Sequence, residues 1–233
     1  MIYENSLCAV ITGDLVRSSE LEYKERESVL SCLRESFRST EELLQLHDDI
    51  LLPFEIFRGD SFQIVIARPE RALLLSLLLS AGLSLSGGEK DISARISIGI
   101  GTIDYVPASG NVGEADGVAF RLSGKMLDSM KQKDQALLIT TPDPVINMML
   151  ETQCAFFDLI AARWTAIQKE LIMEKLSGST QEEIAACHGK SQSTVSQSLK
   201  AAGFEAVKKF VSNYESLFEY PDIFLKSGRS GHS

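Results

Sequence analysis

With 233 residues, 44% of them apolar, the chain is long enough to bury a sizeable core, as one large domain or as a medium domain plus a small one. Its formal net charge of −9 is no nucleic-acid footprint, so any contact with DNA has to come from local charge placement. The four cysteines, Cys8, Cys32, Cys154 and Cys187, are widely spread and form no C-x-x-C pair, which argues against a structural zinc site and for a reducing compartment.

No basic segment precedes the first apolar run, and the leucine-rich stretch 73–83 is far short of the roughly 20 apolar residues that span a bilayer. The expectation is a cytoplasmic protein without membrane insertion. In chain order, residues 7–11 read as a short apolar strand buried on both faces, ending at Gly13 and Asp14. Ser18, Ser19 and Glu20 read as the capped start of a long helix running through Leu30, Leu33, Phe37 and Leu44. The backbone N–H groups of Val16, Arg17 and Ser18 would then face an anion such as a triphosphate.

Two strands flank Gly59-Asp60, which reads as a tight hairpin turn. Pro69 opens a leucine-rich helix that ends at Ser86-Gly87-Gly88, and the alternation over 92–103 reads as a half-buried strand. A glycine-rich loop from 104 to 116 leads to a helix beginning at Val118 and a strand over 136–140. Strand, helix, strand, strand, helix, strand, helix, strand is the order of an α+β, ferredoxin-like palm with helices packed on one face.

Pro142 and Pro144 end that palm, giving domains at 1–141 and 142–222, with a disordered tail over 223–233. The segment 145–162 carries enough apolar surface to pack on the palm or on a second copy, with core as the default. Residues 180–202 read as a helix-turn-helix within a small all-α domain. Thr180 caps its first helix, Ala185 is small where the helices cross, and Gly189 permits the turn. Ser191 caps the second helix, and Val195 and Leu199 anchor its inner face. Ser191, Gln192, Ser193, Thr194, Ser196, Gln197 and Lys200 would point outward, amides and hydroxyls suited to base edges with Lys200 on a phosphate. His188 and Lys190 stand where such motifs usually bury aliphatic side chains.

Asp14 and Asp60, each preceded by glycine, would come to one edge of one sheet if the first strand pairs beside the hairpin. Two carboxylates so placed could hold Mg2+ and a nucleotide's phosphates, or could serve as a helix cap and a turn residue. The wording Ile11-Thr12-Gly13-Asp14 and Phe57-Arg58-Gly59-Asp60-Ser61-Phe62 resembles the metal-aspartate motifs of class III nucleotide cyclases and the palm of diguanylate cyclases. Joined to a C-terminal helix-turn-helix that resembles sigma-factor region 4, it looks most like the bacterial SatD family.

The cyclase resemblance implies that Asp14 and Asp60 are metal ligands and that Arg121 is a catalytic arginine acting across a dimer interface. Lys125, one turn on, could meet phosphate. Three positions depart from that pattern. Gly117 stands at the transition-state asparagine, Ile56 at the base-reading lysine, and Ser61 at the glutamate of the diguanylate signature. The resulting expectation is a cytoplasmic regulator whose palm binds a nucleotide or metal, or dimerises, and whose helix-turn-helix binds double-stranded DNA as a homodimer. The alternative is a Mg-dependent cyclase or other nucleoside-triphosphate enzyme with a regulatory helical domain.

Overall fold

Eight consecutive buried residues, Cys8–Leu15 (β1), place the first strand in the middle of a sheet, where both of its faces and both of its edges are covered. The computed structural model describes residues 6–16, 18, 22–57, 59–87, 92–107, 110, 112–133 and 135–225. After β1 come the helix Tyr23–Leu44 (α1), the hairpin Ile50–Phe57 (β2) and Ser61–Ile66 (β3), the helix Ala72–Ser86 (α2), and the strand Ala94–Gly101 (β4). A two-stranded ribbon of Ile103–Tyr105 (β5) and Asp116–Gly117 (β6) precedes the helix Val118–Lys133 (α3) and the strand Leu137–Thr140 (β7). The rest is helical: Pro144–Ala161 (α4), Ala166–Leu176 (α5), Gln181–Cys187 (α6), Gln192–Ala201 (α7), Phe204–Ser216 (α8) and Asp222–Leu225 (α9).

The main sheet has the order β2-β3-β1-β4-β7, with β1 antiparallel to both β3 and β4, and β7 parallel to β4. Two interleaved strand–helix–strand halves with β1 and β3 inside are the ferredoxin-like arrangement, so the α+β palm is as expected.

Strand alternation sorts the side chains between two layers. Ala9, Ile11 and Leu15 join Leu33 and Phe37 of α1 and the leucines of α2 in one core. Cys8 and Val10 face the other way, with Val65, Ile103 and Ala119 at the start of α3. Helices therefore cover both faces, not the single face expected. The reason lies in β4, where Gly99 leaves no side chain: a Cβ there would stand 2.2 Å from the Ala119 carbonyl, so α3 lies directly on the strand.

Helix α2 is apolar nearly all round because it is walled in on every side, by the sheet and α1 and by α5 and α8. Leu73, Leu75, Leu78, Leu79 and Leu83 are all within 1% of complete burial, each contributing about 2 kcal/mol by removal from water. Among the described residues, no helix is long and apolar enough to cross a membrane.

The helical half is not a separate body. Leu150 and Cys154 of α4, Val207, Phe210, Val211 and Tyr214 of α8, and Phe224 of α9 all belong to the core beneath the sheet. The buried Tyr214 hydroxyl donates to the Pro69 carbonyl at 2.6 Å. The prolines at 142 and 144 mark a change of secondary structure, with Asp143 capping α4 through Val145 and Ile146 N–H at 2.8 and 3.0 Å. A second, small core holds Leu171, Ile172, Ile184, Ala185, Val195, Leu199, Ala202 and Phe204. The tail expected from residue 223 begins too early, since α9 covers 222–225 and Phe224 is buried against Phe218. Residues 226–233 lie outside the described residues.

Candidate functional site

The register of the sheet brings Asp14 and Asp60 to one edge. Asp14 pairs with Ser61, the first residue of β3, and the Leu15 amide donates to the Asp60 carbonyl at 3.1 Å. Phe57 pairs with Ser61, so the paired strands are separated by one residue more than the tight turn expected, with Gly59 at φ +87°. Arg58 lies outside the described residues.

The same register places Arg95 of β4 directly across from Asp14, on the face covered by α3. Arg95 holds that carboxylate through Nε–Oδ1 at 2.9 Å and Nη2–Oδ2 at 3.3 Å, and Lys131 near the end of α3 approaches Oδ2 at 3.2 Å. The Asp14 side chain is only 4% exposed, and among the described residues Arg95 and Lys131 are the cations paired with it. Asp60 accepts a hydrogen bond from the Ser18 hydroxyl. Arg26 of α1 leans over the turn so closely that a Cβ on Gly59 would collide with its Nη2.

A divalent cation needs open carboxylate oxygens. Here both Asp14 oxygens are taken by Arg95 and Lys131, and one Asp60 oxygen by Ser18. The residues as folded do not fit Mg2+. Behind Asp14 on the same face, Thr12 accepts from Gln63 Nε2 at 2.7 Å and from the Ser123 hydroxyl, while the buried Ser97 hydroxyl across from Thr12 finds no partner among the described residues.

Of the amides expected to cradle an anion at the first helix, that of Val16 is taken within the fold. Helix α1 starts at Tyr23, not near Ser18, and Glu25 turns back to accept the Glu22 amide at 3.2 Å. The Val16 amide donates to the Ser93 carbonyl at 2.9 Å, which removes it as a phosphate donor. Ser18 spends its hydroxyl on Asp60, and Arg17 lies outside the described residues.

Arg121 and Lys125 are not brought to the carboxylates. Arg121 sits at the start of α3, bound to Asp116 and Asp104 of the β5–β6 ribbon at 2.9 and 3.0 Å. It is ten residues from Lys131, about 15 Å along the helix, at the opposite end of the sheet. Lys125 is exposed on the same helix. Sequence reasoning missed Arg95 and Lys131. The available signal was a single arginine inside an otherwise apolar and small strand pattern, across from a strand-end aspartate.

In the helical half, the turn chemistry matches the residues. Thr180 accepts from the Glu183 amide at 3.2 Å and Ser191 from the Thr194 amide at 3.2 Å. Gly189 has φ +60°, a conformation that suits glycine. Val195 and Leu199 are buried, whereas Ser191, Gln192, Ser193, Thr194, Ser196, Gln197 and Lys200 are all exposed. Gln192 Nε2 donates to Glu182 at 2.9 Å, which puts an acid beside the start of α7.

Sheet order, strand-end carboxylates and an all-helical second half define a protein with a ferredoxin-like palm, whose core α4, α8 and α9 share, and a helix–turn–helix with a small core of its own. The chain belongs to the SatD family, whose family model matches residues 8–215. Among curated proteins, none matches the chain. A solved structure, that of the guanylyl cyclase Cya2, is similar over 53% of this chain and 70% of that one, at 15% identity and a TM-score of 0.36. A likeness that slight carries no argument about function.

Proposed function

We propose that this SatD-family protein is a cytoplasmic regulator that binds double-stranded DNA through α7 as a homodimer, with the palm as the rigid body that spaces two copies of that helix. One observation carries the reading. Every residue of the α7 surface that could address a base edge or a phosphate is exposed, while Val195 and Leu199 fix the helix to its frame. Amides, hydroxyls and one lysine on a helix framed in this way suit major-groove contacts.

Local charge is thin. From 179 to 210 there are four lysines, Lys190, Lys200, Lys208 and Lys209, against Glu182, Glu183 and Glu205. A single copy would bind weakly and lose its affinity steeply with salt, so two copies are needed. Helix α4 offers the surface for that. Val145, Met148, Met149, Phe156 and Leu159 are between 55% and 68% exposed and lie on one stripe of the helix, so the core that was the default for this segment does not take them. Beside them runs an apolar groove of about 380 Å³ between α4 and α8.

Fluorescence anisotropy with random-sequence duplex DNA at low salt, followed by selection of a preferred sequence, tests the reading. Q197A with K200A should weaken binding to the selected site about tenfold or more without changing the fold. M148E with F156E should leave a monomer by light scattering, with the DNA affinity reduced. Absence of any retained DNA at low salt would remove the proposal. The second reading, a Mg-dependent nucleotide enzyme, draws on Asp14 and Asp60 sharing one edge. It requires Lys131 and Arg95 to release Asp14, and it predicts a thermal shift with Mg2+ and a nucleoside triphosphate that disappears in D60A.

A further inference from the structure

Away from the strand end and the outer face of α7, three metal-ligating side chains of different kinds converge beneath the turn between α6 and α7. Glu174 comes from α5, Cys187 is the last residue of α6, and His188 caps that helix. Their ligand atoms all lie within 4.8 Å of one another. His188 Nε2 is 2.6 Å from Glu174 Oε1, and its other ring nitrogen faces Glu170 Oε2 at 3.9 Å. Glu170 and Glu174 are four apart, so one face of α5 presents both carboxylates to the ring.

The ring's position is set by backbone geometry as well. The His188 amide donates to the Ile184 carbonyl at 3.0 Å, and the Lys190 amide to the Ala185 carbonyl at 2.9 Å. With Gly189 in the left-handed region between them, the turn holds the imidazole over α5, where its side chain is 16% exposed. A histidine–glutamate ion pair alone would explain the short contact. It does not explain a thiol arriving at the same point.

We propose that Glu174, Cys187 and His188 bind a borderline-soft divalent cation, Zn2+ foremost, and that this ion pins the α6–α7 turn to α5. Carboxylate, thiolate and imidazole together match Zn2+ and its neighbours in the first transition row, not the hard Mg2+ or Ca2+, which take oxygen donors. Bond lengths of about 2.0–2.3 Å require the donors to stand roughly 3–4 Å apart, close to the separations of up to 4.8 Å they already have. The fourth position opens to solvent on the exposed Cys187 side and would be filled by water. Glu170 would accept from the ring N–H opposite the metal and fix the tautomer.

Binding exchanges the thiol proton for the metal. The Cys187 S–H bond breaks, its proton goes to solvent, the sulfur keeps the electron pair and donates it to the ion, and the neutral imidazole and ionised carboxylate complete the set. No net oxidation or reduction occurs. Two of the other three thiols compete poorly: burial pushes Cys8 up to about 12 and Cys154 higher still, holding both as thiols. The sequence reading argued against zinc because no cysteine pair is present. Glu174 lies thirteen residues before Cys187 and is joined to it only by the fold.

The site stands whether or not α7 contacts DNA, and its test needs none. Full-length reduced protein, stripped with a chelator, is titrated with Co2+. The expected result is one ion per chain, with a thiolate-to-cobalt charge-transfer band and tetrahedral d–d bands that Zn2+ abolishes. C187S, at an exposed position, should remove the charge-transfer band while leaving circular dichroism unchanged. Glu174→Gln and His188→Gln should each weaken Co2+ binding about tenfold or more. Three outcomes would overturn the site: no thiolate band in the wild-type protein, a band that persists in C187S, or a band that C32S removes instead.

Discussion

The strand end around Asp14 and the surface of α7 are both rich in polar side chains, and they treat those groups in opposite ways. At the strand end every carboxylate oxygen of Asp14 is matched by Arg95 or Lys131 within the chain, and the neighbouring Gln63 and Ser123 both donate to Thr12, leaving the Ser97 hydroxyl as the exception. On α7 the side chains face water: Ser191, Ser193 and Thr194 share hydroxyl bonds at the start of the helix and Gln192 reaches Glu182, while Ser196, Gln197 and Lys200 stand exposed beyond them. A polar group buried in a sheet must find its partner in the fold or cost free energy, whereas one on a helix surface can keep its bonding capacity for another molecule. Resemblance in wording drew attention to the first region. Free bonding capacity points to the second.

The sharpest way to break the comparison is Asp14→Asn. If the carboxylate is the internal counter-charge described above, its loss strands Arg95 and Lys131 and lowers stability by about 2–3 kcal/mol in urea unfolding. A vacant metal site would respond the other way, with stability unchanged or raised.

Gly13→Ala probes the tightness of the same region. A Cβ there would stand 2.2 Å from Phe62 Cζ and 2.8 Å from the Arg95 carbonyl, and Phe62 is fully buried. The expected loss is about 2 kcal/mol, again by urea unfolding.

In the helical region, Thr180→Ala removes the α6 cap, at a cost of about 1 kcal/mol. The reciprocal half of that cap has a pH signature. The Glu183 carboxylate accepts the Thr180 amide at 2.8 Å, and that bond, with the Thr180 hydroxyl, holds it below the usual carboxylate range. Its contribution is therefore present above the ordinary glutamate pKa and lost as pH falls through the lowered one. Glu183 is at the surface, so a Glu183→Gln variant should differ from wild type only by flattening the acid limb of thermal melts.

The smallest effect is expected from S193A with Q197A on α7, within about 0.5 kcal/mol of wild type. A large loss there would mean that the helix surface is structural, and the contrast with the strand end would collapse.

Much of the fold was legible because it rests on local chemistry. The glycines at 13 and 59, the caps at Thr180 and Ser191 and the turn at Gly189 all act over a few residues, and each appears where the sequence puts it; alternation over 92–103 locates a strand, β4, but not its burial, which is nearly complete and not the half expected because α3 covers the second face. The start of α1 was misplaced because Ser18 has a stronger partner in Asp60, forty-two residues away, and Glu22 and Glu25 supply the cap instead. Helix α4 reads as core by composition, yet five of its large apolar residues are exposed, since only the stripe carrying Leu150 and Cys154 meets the sheet.

The sequence by itself determined the order of strands and helices, the palm class, the family and the framing of α7, because periodicity, capping and turn residues act through neighbours along the chain. Tertiary structure alone decided that Arg95 and Lys131 occupy Asp14, that Arg121 stands at the far end of α3, and that Glu174 meets Cys187 and His188. Electrostatic neutralisation and metal geometry depend on distances of a few ångströms between residues far apart in sequence, and only the packing of the sheet and helices sets those distances.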